Sequence, residues 1–135
     1  MLRDPERTAL VIVAIPEEMA VVEAVQLHQV ARDEVGVTTA AVVLNAFHER
    51  RFTDAEEARV LALSKQGADG PLLGGVSLAA ALGAARRQVR RRKLSRFYES
   101  RLRRALPLPL VTLPYLFAED IGRAEVGELA RRLAS

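Results

Sequence analysis

Few residues in this chain have the type and spacing that covalent chemistry requires. His28 and His48 stand 20 residues apart, one inside an amphipathic stretch and one in a charged loop. They share no metal-ligand spacing and read as structural or solvated. There is no cysteine, so disulfides and thiolate metal sites are excluded. No G-x-x-x-x-G-K-[ST] occurs, because Lys65 and Lys93 follow no glycine-rich turn. Gly70-Pro71-Leu72-Leu73-Gly74-Gly75 mimics a phosphate loop, but no helix-opening Lys-Ser or Lys-Thr follows it. A G-x-S-x-G turn and a carboxylate pair at a strand end are also missing. By its own residues the chain does not look catalytic.

Binding chemistry is better represented. Asn45 closes Thr38-Thr39-Ala40-Ala41-Val42-Val43-Leu44-Asn45, an uncharged run of small and β-branched residues. A carboxamide there offers one donor edge and one acceptor edge to a ligand. The competing reading makes Asn45 a turn residue where a strand stops. The second feature is charge. The net charge is +3, yet ten of the twenty basic residues lie between Arg86 and Arg104, where Glu99 is the one acid. Outside that window the chain is acidic. Arg-rich stretches invite anionic partners such as lipid or RNA; the plainer reading is a solvated basic helix. Val89, Leu94, Phe97, Leu102 and Leu106 are expected to give that helix an apolar side that docks on a sheet.

The elements that position these residues follow from hydrophobic pattern. Thr8–Ile15 and Thr38–Asn45 are continuous apolar runs, as in strands covered on both faces of a parallel sheet. Between them, residues 17–35 should be a helix with Ala20, Ala24, Leu27 and Ala31 inward and Gly36 as its stop. Thr53-Asp54-Ala55-Glu56 has the form of a capping box. It opens a second helix running to about Gln66, with Ala58, Leu61 and Ala62 inward. Residues 67–75 hold four of the eight glycines and form a flexible connection. A long helix is expected from about Ser77 to Ala105, where Pro107 and Pro109 forbid continuation. Leu110–Leu113 is a third strand, and Arg123–Leu133 a last helix.

Strands alternating with helices give an α/β fold with a parallel sheet of three strands, and one domain is expected for 135 residues. With 50% hydrophobic but only 4% aromatic residues, the core must be aliphatic. Three buried parallel strands leave an open edge. The sheet should therefore be completed by further sequence or by another chain. No run reaches the ~18 apolar residues of a membrane span, and the charged start lacks a signal-peptide core, so a cytoplasmic protein is expected.

Several of these pieces, in order, resemble the C-terminal half of the ArsA family, the arsenite-pump ATPases and the related ATPases that target tail-anchored membrane proteins. They are Leu2-Arg3-Asp4-Pro5-Glu6-Arg7-Thr8, the strand leading to Ile15-Pro16-Glu17, and the strand ending Val43-Leu44-Asn45. Ala85-Arg86-Arg87 with its basic helix, and Leu113-Pro114-Tyr115-Leu116 through Glu119-Asp120-Ile121-Gly122, close the pattern. Residues 48–84 match it poorly. The resemblance implies part of a P-loop-type ATPase carrying the adenine side of the site. Asn45 would contact adenine and Glu17 the nucleotide, while Pro114, Tyr115, Leu116 and Phe117 would pack around base and ribose. ATP is the implied cofactor, with the phosphate loop and the Mg²⁺ ligands in an N-terminal half upstream of Met1. Implied partners are that half or a partner chain, a second copy in a homodimer, and a membrane-protein client or anion pump, rather than nucleic acid. Three departures stand out: the phosphate half lies outside this chain, the family's zinc and arsenite cysteines are absent, and its Pro-Leu-Leu-Pro reads Pro114-Tyr115-Leu116-Phe117. The rival reading is a non-enzymatic α/β module whose Arg-rich helix binds nucleic acid or an anionic membrane.

Overall fold

The computed structural model describes residues 4, 6–71 and 74–134. Leu2, Arg3 and Pro5 of the N-terminal motif, and Leu72 and Leu73 of the glycine-rich connection, lie outside the described residues. The chain divides into two compact units, residues 1–47 with 94–135, and residues 48–93.

The first unit is α/β. Its strands are β1 (Leu10–Ala14), β2 (Thr39–Phe47) and β3 (Leu110–Pro114). They form one sheet in the order β1-β2-β3, parallel throughout, as the alternation of apolar runs and helices predicts. Helix α1 (Glu18–Val30) joins the first two strands and packs on β1. Its continuation, Ala31–Val35, is wound as a π-helix. Gly36 ends it at φ 74°, a left-handed conformation that suits a residue without Cβ. Helix α4 (Arg123–Leu133) packs beside β3, its first turn held by the Gly122 N–H donating to Glu125 Oε2 at 2.9 Å.

The main apolar cluster lies on one face of the sheet. Ile12 and Ala14, Val42 and Leu44 meet Val21 and Ala24 of α1, with Leu102 and Leu106 closing the cluster. Two expectations need correcting here. Coverage on both faces holds for β2, where the successive Val42, Val43 and Leu44 are all buried, but not for β1, where Val11 is 50% and Val13 62% exposed. Strand side chains alternate, so with only one side of β1 packed, every second residue faces out. On α1, Leu27 is 48% exposed while Val21 is fully buried. The inward stripe runs through Val21, Ala24 and Ala31, one position round from the stripe read through Ala20 and Leu27.

The second unit contains α2 (Asp54–Lys65) and the first part of α3 (Leu78–Ala105), a single unbroken helix. The capping box forms as its sequence requires: Glu56 N–H donates to Thr53 Oγ1 at 3.3 Å, and Thr53 N–H to Glu56 Oε2 at 2.7 Å. The Thr53 N–H and the Thr53 hydroxyl, which donates to the same Oε2 at 2.9 Å, hold the Glu56 carboxyl below its usual pKa. Ser77 caps α3 by accepting from the Ala80 N–H at 3.1 Å. The glycine-rich connection is pinned at its ends by a Pro71–Ser77 bridge and by the Leu78 N–H on Gly70 O at 2.8 Å.

The inward face of α2 differs from expectation. Ala58, Leu61 and Ala62 are exposed and Glu57 is buried. The cause is electrostatic, because the Glu57 carboxylate accepts from Arg92 Nη1 of α3, and this pair turns the helix inward on its polar side. On α3, Val89, Leu102 and Leu106 are buried, but Leu94 and Phe97 are 41% and 54% exposed. At 100° per residue Phe97 stands about 140–160° from Ser95 and Leu102, and Leu94 about 80–100° from them, at the margin of the buried side. No described helix is long and apolar enough to cross a membrane.

Candidate functional site

Because all three strands are parallel, their C-terminal ends share one edge of the sheet, the edge at which ligands bind in open α/β sheets. The register pairs Ala14 with Leu44 and Leu44 with Thr112. Ile15-Pro16-Glu17, Asn45 and Pro114–Phe117 all follow those partners directly, so topology gathers every residue expected at the nucleotide. Adjacent strands lie about 4.8 Å apart, so the loops after β1 and β3 are about 10 Å apart with the end of β2 between them.

Asn45 does not close β2, as the sequence reading had it. The strand continues to Phe47, and between the pairs Leu44–Thr112 and Phe47–Pro114 it carries one residue more than β3. This is a β-bulge at Asn45–Ala46. Ala46 has φ 54°, the one non-glycine residue with positive φ among those described. Left-handed backbone costs an ordinary residue about 1–2 kcal/mol. Such a conformation persists where surrounding bonds impose it and is concentrated at ligand sites. The imposing bond is visible: Phe47 O accepts the Tyr115 N–H at 2.9 Å and locks the bulge to the end of β3. Asn45 itself is half-buried, and alternation puts it on the side opposite the buried Leu44.

That main-chain bond also fixes Tyr115. Its ring meets Phe117 edge-on, with centroids 4.7 Å apart at 67°, and both rings are exposed. Leu116 is half-buried between them. Pro114 is buried in the ladder opposite Phe47, directly before the exposed Tyr115 in sequence. Glu17 is exposed and occupies the N-cap position of α1. Its N–H bonds to Ile15 O at 2.8 Å and its carbonyl receives the Val21 N–H at 3.0 Å, which holds the turn and leaves the carboxylate in solvent.

The residues present therefore suit one flank of a planar, polar-edged group: an amide on a bulge, an aromatic pair beside it and one carboxylate. Among the described residues no group of three or more acidic or histidine side chains is arranged to hold a metal ion. The histidines serve structure. His28 Nδ1 lies 3.1 Å from the buried Thr39 Oγ1, joining α1 to the start of β2 at the opposite edge of the sheet. His48 is buried, and its pKa is lowered first by that burial and then by Arg91.

Sequence reasoning missed the bulge. Glycine or asparagine at position 46 would have signalled positive φ, whereas alanine there carries no signal. The poorly matching stretch 48–84 falls wholly within the second unit, residues 48–93. Compared with known proteins, the chain matches no family model and no curated protein.

Proposed function

We propose that this chain is the C-terminal, adenine-side portion of an ArsA-like ATPase, a cytoplasmic protein coupling ATP hydrolysis to anion efflux or membrane-protein targeting. The observation that carries the reading is the bulge at Asn45–Ala46, tied by its main chain to the exposed Tyr115–Phe117 pair at the ligand-binding edge. Asn45 would pair with the donor and acceptor edge of adenine. Tyr115 and Phe117 would wall the base, and Glu17 would approach the ribose side. ATP supplies the phosphoryl group, and its phosphates and Mg²⁺ would be held by an N-terminal half or a partner chain.

The sheet supports the need for such a completing half. β1 is an edge strand of five apolar residues, Leu10-Val11-Ile12-Val13-Ala14, with neither charge nor proline to block pairing. Edges of that kind are ordinarily protected in proteins that stand alone. Homodimerisation, and a client or pump at the membrane, belong to the same reading.

The test joins the chain to its phosphate-binding half and measures ATP affinity. Losing a paired polar contact costs about 1–3 kcal/mol, so Asn45→Ala should weaken ATP binding by about 5- to 150-fold. Unchanged affinities for both ATP and GTP would reduce Asn45 to a feature of the bulge. A gene lacking an upstream phosphate loop, with none in a neighbouring gene, also counts against the proposal.

A further inference from the structure

Helix α3 carries one surface that neither the core nor the nucleotide reading uses. At 100° per residue, Arg86, Arg87, Arg90, Lys93, Arg101 and Arg104 fall within about 120° of arc, along about 27 Å of helix. All but Arg101 are exposed, and none has an ion pair among the described residues. Arg91, exposed and about 40° beyond one edge of the stripe, also has no ion pair among the described residues, whereas the three arginines beyond the other edge are paired with acids. Arg92 is bound to Glu57, while Arg96 and Arg103 share Glu99 at 3.2 and 3.0 Å. The helix is unbroken, so this stripe lies on one element. In its middle stand Leu94 and Phe97, 41% and 54% exposed.

We propose that this stripe docks on an anionic phospholipid surface, with the cations over headgroup phosphates and Phe97 and Leu94 entering the acyl boundary. The geometry favours a bilayer over nucleic acid. A helix in a duplex groove has phosphates on both flanks and needs free cations on both sides, whereas here Arg91 extends the stripe on one flank only and the arginines of the other flank are answered by Glu57 and Glu99. Single-stranded nucleic acid is held by successive stacking rings; the stripe offers one, since Tyr98 packs against the core. A flat anionic plane can meet a straight row of cations along its whole length, and exposed apolar groups at the centre of the row gain by leaving water. The inference stands apart from the ATPase proposal, since no stripe residue belongs to the strand-end site.

The experiment is sedimentation of the chain with vesicles of phosphatidylcholine alone, or of phosphatidylcholine with about 30% phosphatidylserine, near the ionic strength of the cell. Binding is expected only with phosphatidylserine, falling steeply as salt rises. Each cation near the surface contributes about fivefold, so Arg90→Gln with Lys93→Gln should lower binding about 25-fold. Phe97→Ser leaves charge untouched and should lower it about fivefold. Far-UV circular dichroism checks that the variants remain helical; should the central pair unfold, Arg86→Gln with Arg104→Gln gives the same readout. The proposal is overturned by equal binding to neutral vesicles, by no binding to anionic ones, or by RNA binding more tightly than vesicles with Phe97→Ser unchanged.

Discussion

In the sheet unit the side chains of Ile12, Val21, Leu44, Phe47, Leu102 and Leu106 share one buried apolar cluster. Among the described residues of 48–93 there is nothing comparable. Their buried positions among those described are Leu82 and Val89, together with His48 and Glu57. The one unit is held by area removed from water, which is favourable for almost any aliphatic arrangement of the right volume. The other depends on a buried ion pair and a buried imidazole, whose contribution rests on particular partners remaining in place. The same chain thus tests two ways of closing a small core. They should fail differently: the sheet unit by losing cooperativity throughout, the helical unit by local opening.

The largest effect should come from the apolar cluster. Leu102 is 1% exposed and lies where α3 meets the sheet. Leu102→Ala removes its transfer energy and leaves a cavity, for about 3–4 kcal/mol in chemical denaturation. Hydrogen exchange should then accelerate across β1, β2 and β3 together. A loss below about 1 kcal/mol would mean that the cluster is not the core.

Glu57→Gln comes next. It leaves the Arg92 guanidinium, 23% exposed, without its carboxylate. Breaking a fully buried pair costs about 3–5 kcal/mol, and partial access to water reduces this to about 2. Protection should be lost in α2 while the amides of β2 keep theirs. Uniform loss across both units would erase the distinction between them. The double change Glu57→Leu with Arg92→Met should restore most of the stability, since well-packed apolar groups replace a buried pair at little cost.

How much of this was legible beforehand follows the same division. Parallel order, strand positions and the last helix, Arg123–Leu133, could be read because apolar runs and prolines report the packing of a sheet directly. In α2 the buried position is occupied by glutamate, and a rule that turns alanine and leucine inward therefore misplaces the face. The site was half legible. Asn45, Glu17 and Tyr115 were named and do share an edge, but the bulge that sets Asn45 is a property of register between β2 and β3, which no local pattern encodes.

A smaller effect belongs to the start of α2. Thr53→Ala removes the hydroxyl that accepts the Glu56 N–H and should cost about 1 kcal/mol. The unit with the weaker apolar core should show the loss as fraying of α2, detectable by amide exchange at Glu56 and Glu57. Thr53→Asn, another good cap, should recover it.

The smallest expected effect concerns pH and depends on the buried imidazole. Burial disfavours the charged form of His48, and the positive Arg91 and Arg51 do so further, against an opposing hydrogen bond with Gln88. Its folded pKa therefore lies below the ordinary 6.5. Above that value both folded and unfolded chains hold a neutral ring, and the contribution is fully present. As pH falls, the unfolded chain takes up the proton first, so stability drops through the window between the unfolded and the folded pKa. Denaturation midpoints should accordingly decline as pH falls through and below the ordinary imidazole pKa of about 6.5. His48→Gln keeps a polar side chain without the titration and should flatten that decline, while carboxylate-linked losses at lower pH remain. Leu102→Ala should not change the slope. If the variant declines as steeply as the parent, the helical unit does not rest on a neutral His48, and the contrast between an apolar and a polar core narrows to the Glu57–Arg92 pair.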